Sequence, residues 1–182
     1  RIGMEAAYAQ ADYLCINISS PNTAGLRDLQ HGEALKQLLN GIKEAQSRCQ
    51  TQHQRYVPIV VKIAPDNDDA ALQSICRSIA DAGIDGIIAS NTTIDKSAVQ
   101  THRHGNQQGG LSGAPLTRRS TQMLQLIRAE LPHIPLIAAG GVMSGADFAA
   151  KLAAGADLVQ IYTGLIYRGP SLIRECLQQT AP

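Results

Sequence analysis

The sequence predicts an α/β protein in which helices cover a sheet of buried parallel strands. Five short apolar runs occur along the 182 residues, and none of them alternates apolar with polar residues. Strands buried on both faces give such continuous runs, whereas half-exposed strands alternate. Amphipathic segments separate the runs, and each run ends in a polar or glycine-containing stretch. A regular alternation of strand and helix is typical of a parallel sheet.

The predicted elements follow one another in a simple order. The tail of a first helix, at 2–10, precedes the first strand, and a second helix begins at Gly32 with leucines on one face. The second strand stops at Pro65, the helix after it ends at Gly83, and a final helix follows Pro170. Two further helices are predicted around 121–131 and 146–153. The five predicted strands are 13–16, 58–63, 84–90, 134–139 and 158–162.

Composition argues against several classes of function. The 16 Lys and Arg residues nearly balance the 15 Asp and Glu residues, so nothing indicates a nucleic-acid-binding surface. The four cysteines lie far apart without a C-x-x-C pair, which fits a reducing compartment and predicts no metal motif. His102 and His104 lack a supporting set of ligands, and we expect them to be solvated loop residues. No apolar run is long enough to span a bilayer.

Two parallel architectures fit this pattern. An open, doubly wound sheet of five strands would be complete at this length. A (β/α)₈ barrel needs roughly 250 residues, so the chain would supply about five of its eight units. In the open sheet only the strands beside the switch point carry polar ends, whereas every strand of a barrel contributes to one mouth. All five predicted strands end in residues suited to ligand binding, which favours the partial barrel.

The segment Asn17–Arg27 is the most polar of these strand ends. It brings amides, hydroxyls, a proline and a glycine into one turn. Pro21 fixes its own φ and favours an extended conformation for Ser20, which presents the Ser20 hydroxyl. The simpler interpretation is a turn that uses these residues for their conformations alone.

Lys62 and the segment Ser90–Thr93 stand at the ends of the next two strands. A buried ammonium group is unfavourable unless an anionic group meets it, so Lys62 predicts a binding function. The alternative is a strand-end lysine that reaches solvent. The four hydrogen-bonding side chains of Ser90–Thr93 suit a polar planar ligand, although a turn or a helix cap would use the same residues.

Two glycine-containing strand ends predict an anion site. Gly140–Gly145 lacks the spacing of a dinucleotide-binding fingerprint, but loops after the last two strands of a barrel often bind phosphate through backbone N–H groups. Tyr162–Gly164 ends the last predicted strand and would complete this cradle. Ordinary turn chemistry, with Ser144 as a helix cap and Asp147 at the capping-box position, is compatible with the same function.

Together these segments resemble the dihydroorotate dehydrogenases, and specifically the quinone-dependent class 2. The resemblance covers nearly the whole chain, and six motifs occur in the family's order. They are Asn17–Arg27, Val61–Asp66, Ser90–Thr93, Gly109–Gly113, Gly140–Val142 and Leu158–Thr163. The cytosolic class 1 enzymes carry cysteine at the position of Ser20, so the serine indicates class 2.

The resemblance implies an FMN-dependent oxidation of dihydroorotate to orotate in pyrimidine biosynthesis, with a quinone as electron acceptor. It makes Ser20 the catalytic base. The residues that it implies for substrate binding are Asn17, Asn22, Asn91 and Thr92. Those that it implies for FMN binding are Asn17, Lys62, Ser90, Gly113, Gly141, Tyr162 and Thr163, and it implies no metal.

The resemblance also implies parts of the enzyme that residues 1–182 do not show. These are the first barrel strands and an N-terminal segment that docks on the membrane and forms the quinone site. We therefore expect residues 1–182 to be the C-terminal part of a single FMN-binding barrel domain, with weak FMN binding and poor turnover when alone. By the same resemblance, the enzyme would lie peripherally at the cytoplasmic side of a bacterial inner membrane.

Two other functions stay open at this point. One is a flavin-free, phosphate-binding barrel lyase that forms a Schiff base at Lys62, which borohydride trapping would detect. The other is an inactive barrel segment that needs a partner segment to close.

Overall fold

Five parallel strands lie side by side in the order in which they occur in the sequence. The structure is a computed structural model, and it describes residues 2–180. The strands are β1 (Leu14–Asn17), β2 (Ile59–Ile63), β3 (Gly86–Ala89), β4 (Leu136–Ala139) and β5 (Leu158–Gln160). A doubly wound sheet reverses its strand order at a switch point. The unbroken order of these five strands excludes that architecture and confirms the prediction of a barrel-type α/β fold.

Seven α-helices flank these strands within the described residues. They are α1 (Ile2–Tyr8), α2 (Gly32–His53), α3 (Asp69–Asp81), α4 (Thr117–Glu130), α5 (Gly145–Ala153), α6 (Thr163–Arg168) and α7 (Ser171–Gln178). Asp68 caps α3 by accepting a hydrogen bond from the N–H of Ala71. Ser144 caps α5 in the same way through the N–H of Asp147. The predicted cap at Ser144 is therefore confirmed.

The predicted end of the last strand is wrong. The sequence predicts a strand to residue 162, but β5 ends at Gln160, where its ladder with β4 also ends. The chain of β4 continues into Gly140 and Gly141, whose φ angles are 107° and 74°. These conformations are not extended, so they offer no ladder partner beyond Gln160. Tyr162–Gly164 consequently lies at the start of α6 and not at the end of a strand.

The two faces of the sheet have different neighbours. Helices cover one face, where alternate residues of β2 such as Ile59 and Val61 belong to the main hydrophobic core. The other face, which we call the inner face, carries a small apolar cluster of Val60, Ile88, Ile137 and Ala139. Lys62 follows Val60 by two residues and therefore lies on the inner face. Leu158, at the β5 edge of the same face, is 63% exposed.

A polar network fixes the amino ends of β2 and β3 to α2. The Asp85 carboxylate accepts hydrogen bonds from the N–H of Ile59 (2.8 Å), the side-chain amide of Gln46 (3.1 Å) and the hydroxyl of Tyr56. Burial raises the pKa of Asp85, these hydrogen bonds lower it, and the net shift is downward. The folded state is therefore stabilised by the ionised form of Asp85.

We expect Asp85→Ala to lower the free energy of unfolding by about 2–3 kcal/mol, because buried donors lose a charged acceptor. Urea denaturation at neutral pH measures this loss. The effect should be complete above the ordinary aspartate pKa of 3.8 and disappear as the pH falls through the lowered pKa of the folded state. Asp81→Ala is the control, because Asp81 is exposed at the end of α3. Equal losses in the two variants would contradict the prediction.

Candidate active site

A cavity of about 540 Å³ lies at the carboxyl ends of β2–β5. Parallel strands bring the residues that follow them to one edge of the sheet, which is where α/β proteins place their ligand sites. Eight of the eleven predicted site residues line this cavity. They are Lys62, Ser90, Asn91, Thr92, Gly113, Gly141, Tyr162 and Thr163. The fold thus brings together residues that are far apart in the sequence.

Asn17 is joined to this cavity through Asn91. The side-chain oxygen of Asn17 accepts hydrogen bonds from the Asn91 amide (3.2 Å) and from the Ser19 hydroxyl (2.9 Å). The Asn91 amide also donates to Ser19 Oγ at 2.9 Å, and its oxygen accepts from the N–H of Thr92 at 2.8 Å. Ser19, which is completely buried, was not predicted as a site residue. Ser19 lies between the two asparagines because β1 pairs with β2 and β2 pairs with β3, which brings the loop after β3 beside the loop after β1.

Ser20 and Asn22 lie in the turn after β1 and are outside the lining of the cavity. The Ser20 hydroxyl oxygen accepts a hydrogen bond from the N–H of Asn22 at 3.2 Å. A Cβ atom on Gly110 would lie 2.9 Å from Pro21 Cγ and 1.9 Å from Thr92 Oγ1. Because only glycine permits this approach, the loop that contains Gly110 packs directly between the turn and Thr92. The structure therefore places Ser20 beside the cavity wall.

Arg27 joins the loops that follow β1, β2 and β3. Its guanidinium group donates to Ser19 O (3.0 Å), Thr92 O (2.9 Å) and an Asp66 carboxylate oxygen (2.6 Å). The other oxygen of Asp66 accepts a hydrogen bond from the Thr93 hydroxyl. The two charged side chains are only 19% and 20% exposed, so water screens this pair less than a surface ion pair. Sequence reasoning assigned no function to Arg27 or Asp66, although both lie in polar strand ends.

Lys62 places an ammonium group in the cavity without a carboxylate partner. In the sheet register it pairs with Asn17 of β1 and Ile88 of β3. Among residues 2–180, no acidic side chain forms an ion pair with it. Burial raises the pKa of the neighbouring Cys15 thiol, and the charge of Lys62 opposes that rise. A cation in this position favours a ligand that carries or develops negative charge.

The glycine loop, Gly140–Gly141, forms another wall of the cavity. At Gly141 a Cβ atom would lie 2.4 Å from the backbone of Thr117, and φ is positive, so this position accepts only glycine. Thr117 Oγ1 donates to Gly141 O at 2.6 Å. A Cβ atom on Gly113 would lie 3.0 Å from Thr163 Cγ2. The two glycines therefore allow the cavity wall to pack closely on Thr117 and Thr163, and neither has a side chain that would shield its main-chain N–H group from an anion.

Two polar residues of the cavity lining were not predicted as site residues, and the two histidines of the long loop lie outside that lining. Ser112 and Gln160 line the cavity, and strand alternation beyond Leu158 would have placed Gln160 on the inner face. His102 and His104 are exposed in the long loop. Within residues 2–180, no three His, Cys, Asp or Glu side chains group as a metal site. In the same range no helix has the length and apolar character needed to cross a bilayer.

This fold and site define the barrel class of α/β proteins, with a ligand site at the carboxyl ends of parallel strands. A family model described as dihydroorotate dehydrogenase matches residues 3–181. The chain therefore belongs to the dihydroorotate dehydrogenase family.

Relatives with known names agree with this assignment. The chain is 58% identical over 181 residues to "Dihydroorotate dehydrogenase (quinone)" of Dichelobacter nodosus, covering 100% of this chain and 54% of that protein. It is 52% identical over 179 residues to the protein of the same name from Marinobacter nauticus, covering 98% and 53%. The crystal structure of Eimeria tenella DHODH in complex with ferulenol matches with a TM-score of 0.91 and 32% identity, over 98% of this chain and 51% of that one.

The chain spans about half the length of the curated relatives that it matches. The resemblance to the quinone-dependent class is confirmed by the names of these relatives.

We expect a double-mutant cycle of Arg27→Gln and Asp66→Asn to give a coupling energy of about 1–3 kcal/mol, because each single variant leaves a poorly hydrated partner. Urea denaturation of the wild type, both single variants and the double variant measures it. The control is the cycle of Arg55→Gln and Asp12→Asn, whose side chains are 43% and 100% exposed. That pair should give less than about 1 kcal/mol. Equal coupling in the two cycles would contradict the joining of the loops by Arg27.

Proposed function

We propose that the protein oxidises dihydroorotate to orotate, with FMN as its flavin and a quinone as electron acceptor, in pyrimidine biosynthesis. The observation that carries this proposal is the unpaired ammonium group of Lys62 in the same cavity as the glycine loop. Family membership supports the oxidation of dihydroorotate, and the names of the relatives support the use of a quinone.

The residues of the cavity fit FMN. Gly113, Gly141 and Thr163 would hold the phosphate, because all three line the same cavity and neither glycine has a side chain that would shield its main-chain N–H group. FMN, when bound, accepts the hydride that leaves dihydroorotate. Lys62 would favour this transfer, since a fixed positive charge stabilises negative charge that develops beside it. The further proposed FMN contacts are Asn17, Ser90 and Tyr162.

The proposed substrate residues are uncharged hydrogen-bonding groups. Asn17 and Asn91 are hydrogen-bonded to each other, while Asn22 and Thr92 lie on either side of the Gly109–Gly110 loop. The rings of dihydroorotate and orotate present alternating donors and acceptors, and an amide matches such a pattern because it carries both. The mutual hydrogen bonds of the asparagines would fix the orientation of their amides before the substrate binds.

Ser20 is the proposed base that removes the proton from ring carbon C5. The N–H of Asn22 donates to its hydroxyl oxygen, and a hydrogen bond of this kind stabilises the deprotonated form. Among residues 2–180, no His, Asp or Glu side chain hydrogen-bonds to Ser20. Its own proton would therefore leave through water, and the reaction should accelerate as the pH rises.

We expect Ser20→Ala to slow the reduction of bound flavin by dihydroorotate by about 10²–10⁴-fold, the usual contribution of a positioned base. Stopped-flow absorbance of the complete protein measures this rate, and flavin content should not change. Ser20→Cys should keep more of the rate and show its pH dependence at lower pH, because a thiol ionises more readily. Ser74→Ala, an exposed serine on α3, is the control. An undiminished rate in Ser20→Ala would exclude Ser20 as the base.

We further infer that residues 1–182 belong to a single FMN-binding barrel domain and that other parts of the protein make its peripheral contact with a bacterial inner membrane. Residues 1–182 alone are expected to bind FMN weakly. The supporting observation is the exposure of the inner face at both edges of the sheet, at Asn17 on β1 and at Leu158 on β5. Fluorescence titration of FMN into residues 1–182 and into the complete protein compares the affinities; equal values would contradict this inference.

The lyase alternative rests on Lys62 and the glycine loop alone. The same two features are explained by a flavin with a phosphate at one end and a reducible ring at the other. Family membership supports the oxidoreductase and gives the lyase no support.

A further inference from the structure

Lys151 is a second buried cation, and the proposed function does not yet use it. It lies on α5 and is 0% exposed. Its ammonium group donates to Thr117 O (2.9 Å), Ser120 Oγ (2.6 Å) and Thr121 Oγ1 (2.7 Å), all in the first turns of α4. All three acceptors are uncharged. Within the part of the chain that the structure describes, no carboxylate forms an ion pair with it.

The acceptors of Lys151 are bonded in turn to the glycine loop. The Ser120 hydroxyl is within hydrogen-bonding distance of Gly140 O (2.9 Å) and of Leu116 O (2.8 Å), which share its one proton, and Thr117 Oγ1 donates to Gly141 O at 2.6 Å. A single residue of α4 therefore separates the ammonium group from each carbonyl of the loop. Lys151 itself does not line the cavity. Its charge consequently lies behind the backbone that forms the cavity wall.

A buried charge of this kind needs a physical reason. Hydrophobic residues of similar volume often replace buried ionic groups at no loss of stability. Burial lowers the pKa of Lys151 to about 8, and the Asp147 carboxylate opposes this shift from the same helix. Asp147 itself accepts hydrogen bonds from Met143 N and Ser144 Oγ. Lys151 is therefore largely charged at neutral pH, and because no described carboxylate is ion-paired with it, its positive charge attracts an anion that lies close to it.

We propose that Lys151 is a positioning residue for the phosphate group of FMN, holding the glycine loop on α4 and placing a positive charge behind it. The inference rests on the proposed function, because it requires FMN with its phosphate at this loop. This role of Lys151 can be distinguished by measurement from a role in stabilising the fold alone. Loss of the charge should weaken binding of the phosphate and leave binding of the flavin ring nearly unchanged.

The test compares FMN with riboflavin, which lacks the phosphate. Apoprotein of the complete chain is titrated with each flavin at neutral pH, and quenching of flavin fluorescence gives the affinities. Lys151→Met, which is neutral and of similar length, should reduce the affinity for FMN by roughly tenfold or more. The affinity for riboflavin should change by less than about threefold, because no phosphate is present to lose the interaction. Lys151→Gln keeps a hydrogen-bond donor and should show the same selective loss, so it serves if Lys151→Met does not fold.

Arg128→Met is the matched control. Arg128 is a cation of α4, the helix that Lys151 of α5 contacts, and it donates to Gly155 O at 3.0 and 2.6 Å near the end of α4 that lies away from Thr117. Its contacts join α4 to the segments before β4 and β5 and do not involve the glycine loop. Any effect of Arg128→Met should therefore be equal for FMN and riboflavin.

The possible outcomes separate this inference from the proposed function. A wild type that prefers FMN, with that preference intact in both Lys151 variants, would overturn the inference and leave the proposed function standing. An equal loss of affinity for FMN and for riboflavin in the Lys151 variants would also overturn the inference and leave the proposed function standing, because it would show a structural effect only. A wild type that binds neither flavin would overturn both.

Discussion

The register of the parallel sheet brings the proposed site residues at the strand ends to one edge. Each of the five strands pairs with its sequence neighbour in the same direction, so the residue that follows each strand reaches the same edge. Asn17 pairs with Lys62, and the N–H of Ser90 bonds to Ala139 O, which places the polar ends of neighbouring strands side by side. A slip of one residue in β2 would turn Lys62 into the core beneath the helices. The site therefore depends on strand pairing before it depends on any loop.

Strand register does not determine how the loops after the strands lie relative to one another; contacts between these loops do. Arg27 bonds to groups in the loops after β1, β2 and β3, and these bonds fix the loops relative to one another. Close backbone approaches do the same at Gly110 and Gly141, where a Cβ atom would overlap a neighbour. The polar strand ends and the glycines thus fix the loops in place, and the same residues remain available for ligand binding. The same rigid arrangement positions a ligand, because groups that are fixed beforehand lose little entropy on binding.

Structural features that follow from burial, such as the strands, were predictable from the sequence. Features that depend on contacts between residues far apart in the sequence were not. Continuous apolar runs revealed all five strands, because both faces of these strands are largely covered near the centre of the sheet. The end of β5 was missed because it depends on the turn at Gly140 in a different strand. The partner of Arg27 lies 39 positions away, and no local pattern predicts such a pair. Lys151 shows the same limit, since only the packing of α5 on α4 distinguishes it from an exposed helical lysine.

In the proposed function, Lys62 and Lys151 place two separate positive charges near the two ends of the ligand. The net charge of the chain is only +1, so the two lysines in and behind the cavity wall reflect placement and not an excess of cations. Lys62 lines the cavity with its ammonium group free of protein anions, whereas Lys151 has three neutral acceptors and lies behind the wall. Direct contact suits charge that develops during a reaction, and a charge behind backbone suits an anion held permanently. Lys151 is buried among neutral acceptors, and the Asp147 carboxylate offsets its desolvation only in part. A ligand with a phosphate at one end and an electron-accepting ring at the other would meet both charges, and its binding would stabilise the folded chain.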